Sequence, residues 1–277
     1  MRKLKLFFKE LLNRIKEDSV TAMGAQLAYY LILSIFPFLI FFLNLLSYTP
    51  IAREEVLESL IVILPLDTQR LIMELLSETI SKSSETLLSL GALTGMWAAS
   101  RGIMSLIKSL NTAYGVEEKR SYLQLRGVAV LFTLALLVLL LIVLSTLVFG
   151  EVLGNMLFDY LGLAYKFMAI WKYLRILISL GFMILTFTLL YKFSPSIRNG
   201  GRMHFKHTFP GAVFASLGWI LTSSLFSYYV NNFGDFGKTY GSLGGVIVLM
   251  IWLYISSIII ITGGEINATI KSLEKDS

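Results

Sequence analysis

The chain has no cysteine and only two histidines among its 277 residues, and charged side chains make up just 15% of it. Without cysteine there is no disulfide framework, no thiolate nucleophile and no thiolate-held metal. His204 and His207 stand three apart in a basic stretch with no acidic residue nearby. Two such ligands are too few for a metal centre, and both are expected to be solvated. No GxxxxGK phosphate loop occurs, so nothing points to nucleotide hydrolysis. No nucleophile and acid–base set can be assembled, so no catalytic residue, metal or cofactor is expected and the chain does not read as an enzyme. The scarcity of charge excludes more: a soluble domain of this length has far more polar surface to cover.

What is present is apolar. Hydrophobic residues make up 56% of the chain, and the mean hydropathy is +0.72. A helix crossing the hydrocarbon core needs about 20 mostly apolar residues. Six windows meet that need, at 24–48, 87–108, 127–149, 171–192, 208–230 and 242–264. They are continuous runs without dyad alternation, which excludes a β-barrel and leaves helices. The expected fold is therefore an all-α membrane protein, a single integral domain over 1–277 built as a six-helix bundle.

The basic residues orient it. With the N-terminus inside and each window crossing once, 16 of the 24 lysines and arginines fall inside and seven outside, and Arg101 lies within a span. The positive-inside rule then places both termini in the cytoplasm. The net charge of +6 is scattered over loops at span ends, which argues for topology and against nucleic acid as a partner.

Residues 2–17 carry Leu4, Phe7, Phe8, Leu11, Leu12 and Ile15 on one helical face, with lysines and Arg14 elsewhere. This pattern predicts an interfacial amphipathic helix over 1–18. Ala52–Leu64 and Asp67–Lys82, divided by Pro65, predict two short amphipathic helices in the extracytoplasmic stretch 50–86. Pro37 falls within the first span, where Ser34 is placed to help the carbonyls it frees. Ala22, Gly24, Ala25 and Ala28 give the same helix a small face for close packing. Glycines 234–245 are expected to make a turn and close contacts. The division into three spans and three spans is compatible with inverted repeats, although no self-similarity supports them.

Polar residues at membrane depth are the candidate site. Arg101 lies about 14 residues into the second span, roughly 21 Å along the helix at about 1.5 Å per residue. A charge there needs a partner or water. Glu265 is the obvious partner, and snorkelling to headgroups is the alternative. Gln26, Ser100, Lys108, Asn111 and Asn267 fall near the same level, as interhelical bonds or as the lining of an inward cavity. On the outside, Lys166, Lys172 and Arg175 interleave with Tyr165, Trp171 and Tyr173. That cluster reads as an interfacial anchor or as contacts to lipid phosphates.

Several stretches together resemble the YihY/BrkB (UPF0761-type) family of bacterial inner-membrane proteins, once labelled ribonuclease BN. They are Ala28-Tyr29-Tyr30 through Ser34 and Pro37, Trp97 to Ile103, Leu110 to Val116, Pro195 with Arg198, Phe209 to Ala212, Tyr240 to Gly244, Trp252-Leu253-Tyr254 and Gly264 to Ala268. The resemblance spans nearly the whole chain and implies a six-span plasma-membrane protein with links to envelope integrity and lipid movement. The ribonuclease label finds no support in the residues, because metal-dependent RNA cleavage needs clustered His and Asp ligands. The expected function is a transporter or flippase-like facilitator for a lipid or other amphiphile, with membrane lipids as partners. The alternative is a scaffold that binds an envelope protein or a second copy of itself.

Overall fold

The computed structural model describes residues 2–47, 69, 85–148, 166–196, 204–234, 236 and 240–275. Seven α-helices account for nearly all of them: α1 Arg2–Glu17, α2 Val20–Ser47, α3 Glu85–Ala113, α4 Tyr122–Val148, α5 Lys166–Phe193, α6 Phe205–Phe233 and α7 Gly244–Lys275. No strand occurs among the described residues. The two amphipathic helices expected over 50–86 lie outside the described residues, apart from Gln69 and the start of α3.

Five of the helices, α2, α4, α5, α6 and α7, are long and apolar enough to cross a membrane. The expected count was six. The 29-residue α3 has the length, but Arg101, Lys108 and a succession of serines, threonines and glycines lower its apolar character. Even so, α3 is packed inside the bundle, where Ile107 and Leu110 are fully buried.

The helices form a ring in chain order. Each of α2 to α7 packs on its neighbours in sequence, α7 closes onto α2, and α7 also touches α3 across the centre. Small residues set the crossings, because lipid removes the hydrophobic drive between helices and leaves close packing and hydrogen bonds. Gly24 of α2 lies against Ile258, and further along Ala28 packs with Leu249 and Leu253 of α7. The two helices therefore run antiparallel, and the chain-terminal ends of α2 and α7 share one face of the bundle. Of the small face read in α2, Gly24 and Ala28 seat α7, whereas Ala22 and Ala25 are exposed, because the α7 contact recurs every four residues and leaves the positions between turned away. The main core joins Val20, Leu27, Leu106, Leu110, Tyr191 and Ile261. Tyr191 is fully buried and donates its hydroxyl to the Ile260 carbonyl at 2.6 Å. Outward-facing residues stay apolar: Leu123 is 78% exposed and Leu93 70%, as a surface solvated by hydrocarbon requires.

The α1 helix sits against the terminal face, in contact with α7 and α2. It buries Leu11 and packs Ile15 on the core, while Leu4, Phe8 and Leu12 remain exposed. Ser19, at φ 53°, supplies the left-handed residue that turns α1 into α2. Arg14 ties α1 down by donating to the Ala113 carbonyl at 3.3 Å, at the negative end of the α3 dipole.

Pro37 lies inside α2 without ending it. The Ser34 hydroxyl bonds the Leu31 carbonyl at 2.7 Å, so it does not serve the Leu33 carbonyl that Pro37 leaves without its helical donor. Gly241, at φ 58°, makes the expected turn ahead of α7.

Candidate functional site

The site begins with a glycine pair. Gly91 and Gly95 lie four apart on α3 and meet the backbone of α2 around Pro37. A Cβ on Gly91 would stand 2.8 Å from the Phe41 amide nitrogen, and one on Gly95 would stand 3.2 Å from that of Phe38. With the backbones this close on one side, the other side of the α2–α3 seam opens toward α4. There a cleft of about 490 Å³ is lined by Ile35 and Phe38 of α2, Ala92 and Ala99 of α3, and Leu134 and Leu137 of α4. Its lining is almost wholly aliphatic and aromatic, with Ser34 and Thr133 as the polar exceptions. Both hydroxyls are already bonded to carbonyls of their own helices.

Toward the terminal face, the same three helices enclose a second, smaller cavity of about 190 Å³. Gln26 and Tyr30 come from α2, Arg101, Met104, Ser105 and Lys108 from α3, and Tyr122 and Leu125 from α4. The α3 residues recur at spacings of three and four, so one helical face carries them all. No carboxylate lines the cavity. Among the described residues neither Arg101 nor Lys108 is in an ion pair. The Arg101 guanidinium lies over the Trp97 ring, 4.6 Å from its centroid, and the buried Nε has no hydrogen-bond partner. Arg126 flanks the same ring at 5.6 Å and donates to the Trp97 carbonyl at 3.0 Å. Ser105 is 4% exposed, and its hydroxyl is also unpartnered.

The expected Arg101–Glu265 pair does not form. Glu265 is fully buried, and no basic side chain forms an ion pair with it among the described residues. The charged groups acting on it are Asp18 and Arg14, at the α1–α2 junction. The two residues share a depth but face different neighbours, because α3 turns Arg101 toward α4 whereas Glu265 faces the α1 side.

The remaining candidates separate in the same way. Gln26 and Lys108 join Arg101 at the small cavity. Ser100 is fully buried and bonds its own helix at the Trp97 carbonyl. Asn267 binds the start of α6, through the Gly211 amide and the Thr208 carbonyl. Asn111 donates to Glu118 at 2.8 Å and accepts from the Ser196 amide at 2.8 Å. It thereby fastens the 114–121 loop to the segment after α5. Arg120 completes that fastening with a 2.7 Å ion pair to Glu118 and a 2.7 Å bond to the Ser194 carbonyl. Burial alone raises the Glu118 carboxyl, but the Arg120 and Asn111 donors outweigh it and hold the group at about 2. Lys166, Lys172 and Arg175 belong to the first turns of α5, and their side chains lie outside the described residues.

His207 does have an acidic neighbour. Glu274 from the end of α7 comes to 3.2 Å of its Nδ1. The partner is 67 positions away in sequence, so no local reading could supply it.

Tyr30, Ser105, Tyr122 and the Gly91–Gly95 pair escaped the reading by sequence. The recurrence of Arg101, Ser105 and Lys108 on one face, and the GxxxG spacing of Gly91 and Gly95, were the available signals.

Comparison with known proteins gives a consistent family. Residues 11–277 match the family model described as virulence factor BrkB. A protein of Bacillus subtilis with a ribonuclease-like name, YfkH, is 38% identical over 97% of this chain and 96% of its own length. UPF0761 membrane proteins of Alteromonas mediterranea and Tolumonas auensis are 24% and 28% identical, covering 96% and 93% of this chain and 88% and 83% of theirs. No solved structure matches.

Proposed function

The chain belongs to the virulence factor BrkB family of membrane proteins, and from that premise we propose that it is a lipid or amphiphile transporter, a flippase-like facilitator serving envelope maintenance. The observation that carries this reading is the apolar cleft of about 490 Å³ between α2, α3 and α4. It follows the bundle lengthwise and is large enough for acyl segments, while its glycine-lined floor keeps α3 close to the Pro37 region of α2. Crossing helices packed for rigidity alone leave no such volume.

In this reading α3 is a sixth crossing, made tolerable by packing between α2, α4 and α7. Both termini then lie on the cytoplasmic side, and the exposed Leu4, Phe8 and Leu12 of α1 rest in the inner interface. Lys166, Lys172 and Arg175 near the opposite end of α5 serve as outer headgroup contacts. Membrane lipids are the proposed partners.

The scaffold reading draws on a different observation. Asn111 and Asn267 are wholly engaged in holding loops and helices together, as in a bundle built only to stand. We do not carry the ribonuclease-like name over to this chain. Among the described residues no three His, Cys, Asp or Glu side chains come together.

Reconstituting the purified protein in vesicles and following leaflet exchange of labelled phospholipids and a polyprenyl lipid decides between the two. Acceleration of at least one class is expected. Exchange at the rate of protein-free vesicles for every lipid tested favours the scaffold.

A further inference from the structure

The small cavity on the terminal side of the cleft is a separate chemical environment, and its chemistry is one-sided. Arg101 and Lys108 bring two positive charges with no carboxylate among the lining residues. Lys108 is exposed, so the cost falls on the half-buried Arg101: an uncompensated charge at membrane depth is costly, and such a residue ordinarily pairs or faces a site for an ion. Cation–π contact with Trp97 relieves part of that cost for Arg101, but it occupies the guanidinium face and leaves the buried Nε without an acceptor. The Nε of Arg101 and the hydroxyl of Ser105 are both buried and both unpartnered, and both residues line this cavity. Buried donors without acceptors are rare and call for an explanation. An acceptor-rich anion supplies one: it takes a charge-assisted bond from guanidinium, a bond from hydroxyl and the charge of the ammonium. Gln26, Tyr30 and Tyr122 add polar groups at the rim. Orphaned donors and unpaired cations thus point to the same missing partner.

We propose that the cavity formed by Arg101, Ser105 and Lys108 of α3 with Gln26 and Tyr30 of α2 is a binding site for a phosphate-class anion, adjoining the apolar cleft on the same three helices. The adjacency favours the phosphate headgroup of an amphiphile whose chains enter the cleft; free inorganic phosphate shares the chemistry. This inference rests on the amphiphile reading for the chains, but the anion site stands on its own residues.

The test is a binding titration of the full chain in uncharged detergent with three probes: short-chain phosphatidic acid, the diacylglycerol with the same chains, and inorganic phosphate. Phosphatidic acid is expected to bind and diacylglycerol to bind at least about ten-fold more weakly, the loss that one good charge-assisted contact, near 1.4 kcal/mol, implies. Arg101→Gln and Lys108→Gln are each expected to weaken phosphatidic acid by about ten-fold. Arg101→Lys, which keeps the charge and loses the planar fork, should fall between. Lys16→Gln, on exposed α1, should bind as the unaltered protein does, and a matched melting temperature guards against misfolding. Phosphate binding as tightly as phosphatidic acid supports the site and assigns it to a soluble ion. Equal binding of diacylglycerol and phosphatidic acid, or phosphatidic acid binding unmoved by Arg101→Gln and Lys108→Gln together, overturns the proposal. Anion binding without leaflet exchange in vesicles sinks the transport reading alone. Leaflet exchange without anion binding sinks the site alone.

Discussion

Asn267 accepts the Gly211 amide at 2.7 Å while its own amide donates to the Thr208 carbonyl at 3.1 Å, so one side chain of α7 holds the first turns of α6. The reason lies next door. Pro210 has no N–H to give the Lys206 carbonyl, and its ring disturbs the local helical ladder. Asn267 takes the following amide in place of a helical carbonyl. Gly211 makes this possible, since a Cβ there would strike the Gly263 carbonyl and the Asn267 amide.

Asn267→Ala should therefore destabilise the protein by about 1–3 kcal/mol, the cost of leaving buried backbone groups without partners. Gly211→Ala should be at least as damaging, because the obstacle includes backbone that cannot rotate away. Thermal unfolding in detergent measures both, and an unchanged melting temperature for Asn267→Ala would refute the staple.

Filling the cleft should separate transport from stability. Ala99 lines the cleft, and Ala99→Phe places a ring in space that is otherwise empty. Leaflet exchange in vesicles should fall by about ten-fold or more, equivalent to roughly 1.4 kcal/mol. The melting temperature should change little. Exchange at the original rate with the ring in place would show that amphiphiles pass elsewhere.

Arg101 and Glu265 should behave as independent sites. They form no ion pair, and separate residues act on each. Effects of Arg101→Met and Glu265→Met on unfolding should add to within about 0.5 kcal/mol. Glu265→Met alone should not lower stability, since it removes a buried carboxyl set against the like-charged Asp18. A double variant clearly more stable than the sum of the singles would restore the pair.

The 114–121 loop should detach in acid. Glu118 is held at about 2 by Arg120 and Asn111, below the value near 4.3 of a free glutamate. A depressed folded value contributes stability that is complete above the unfolded value and disappears as pH falls through the folded one. Protection of the Ser196 and Arg120 amides from hydrogen exchange should therefore be full above about pH 4.5 and fade toward pH 2. Glu118→Gln should show the weakened protection already at neutral pH. Protection that persists in that variant would show that Glu118 is not what holds the loop.

Helicity, membrane character and the amphipathic nature of the N-terminal segment were legible because each is a local property. Apolar runs about 20 residues long leave the backbone no other partner than itself in lipid. The spacing of Leu4, Phe8, Leu11, Leu12 and Ile15 assigns one face whatever follows it. Even there the division of that face was not local: Leu11 and Ile15 turn to the bundle, while Leu4, Phe8 and Leu12 do not.

The candidate site was legible only as a level in the membrane. Sequence position gives depth along a helix at about 1.5 Å per residue, and on that basis alone Arg101, Lys108, Gln26, Asn111, Asn267 and Glu265 were grouped at one level. Depth says nothing of azimuth across helices. Rotation of each helix against its neighbours sent Arg101, Lys108 and Gln26 to the α2–α3–α4 cavity, Asn267 to the Pro210 break, Asn111 to a loop and Glu265 toward Asp18. Those rotations follow from where backbones can touch, at Gly91, Gly95, Gly211 and Gly263, and such contacts exist only between segments distant in the chain. Composition and periodicity thus determined by themselves that this protein is a bundle of membrane helices, because lipid constrains each segment separately. Only the tertiary structure decided which polar groups meet and which cavity they line, because that depends on close packing between segments.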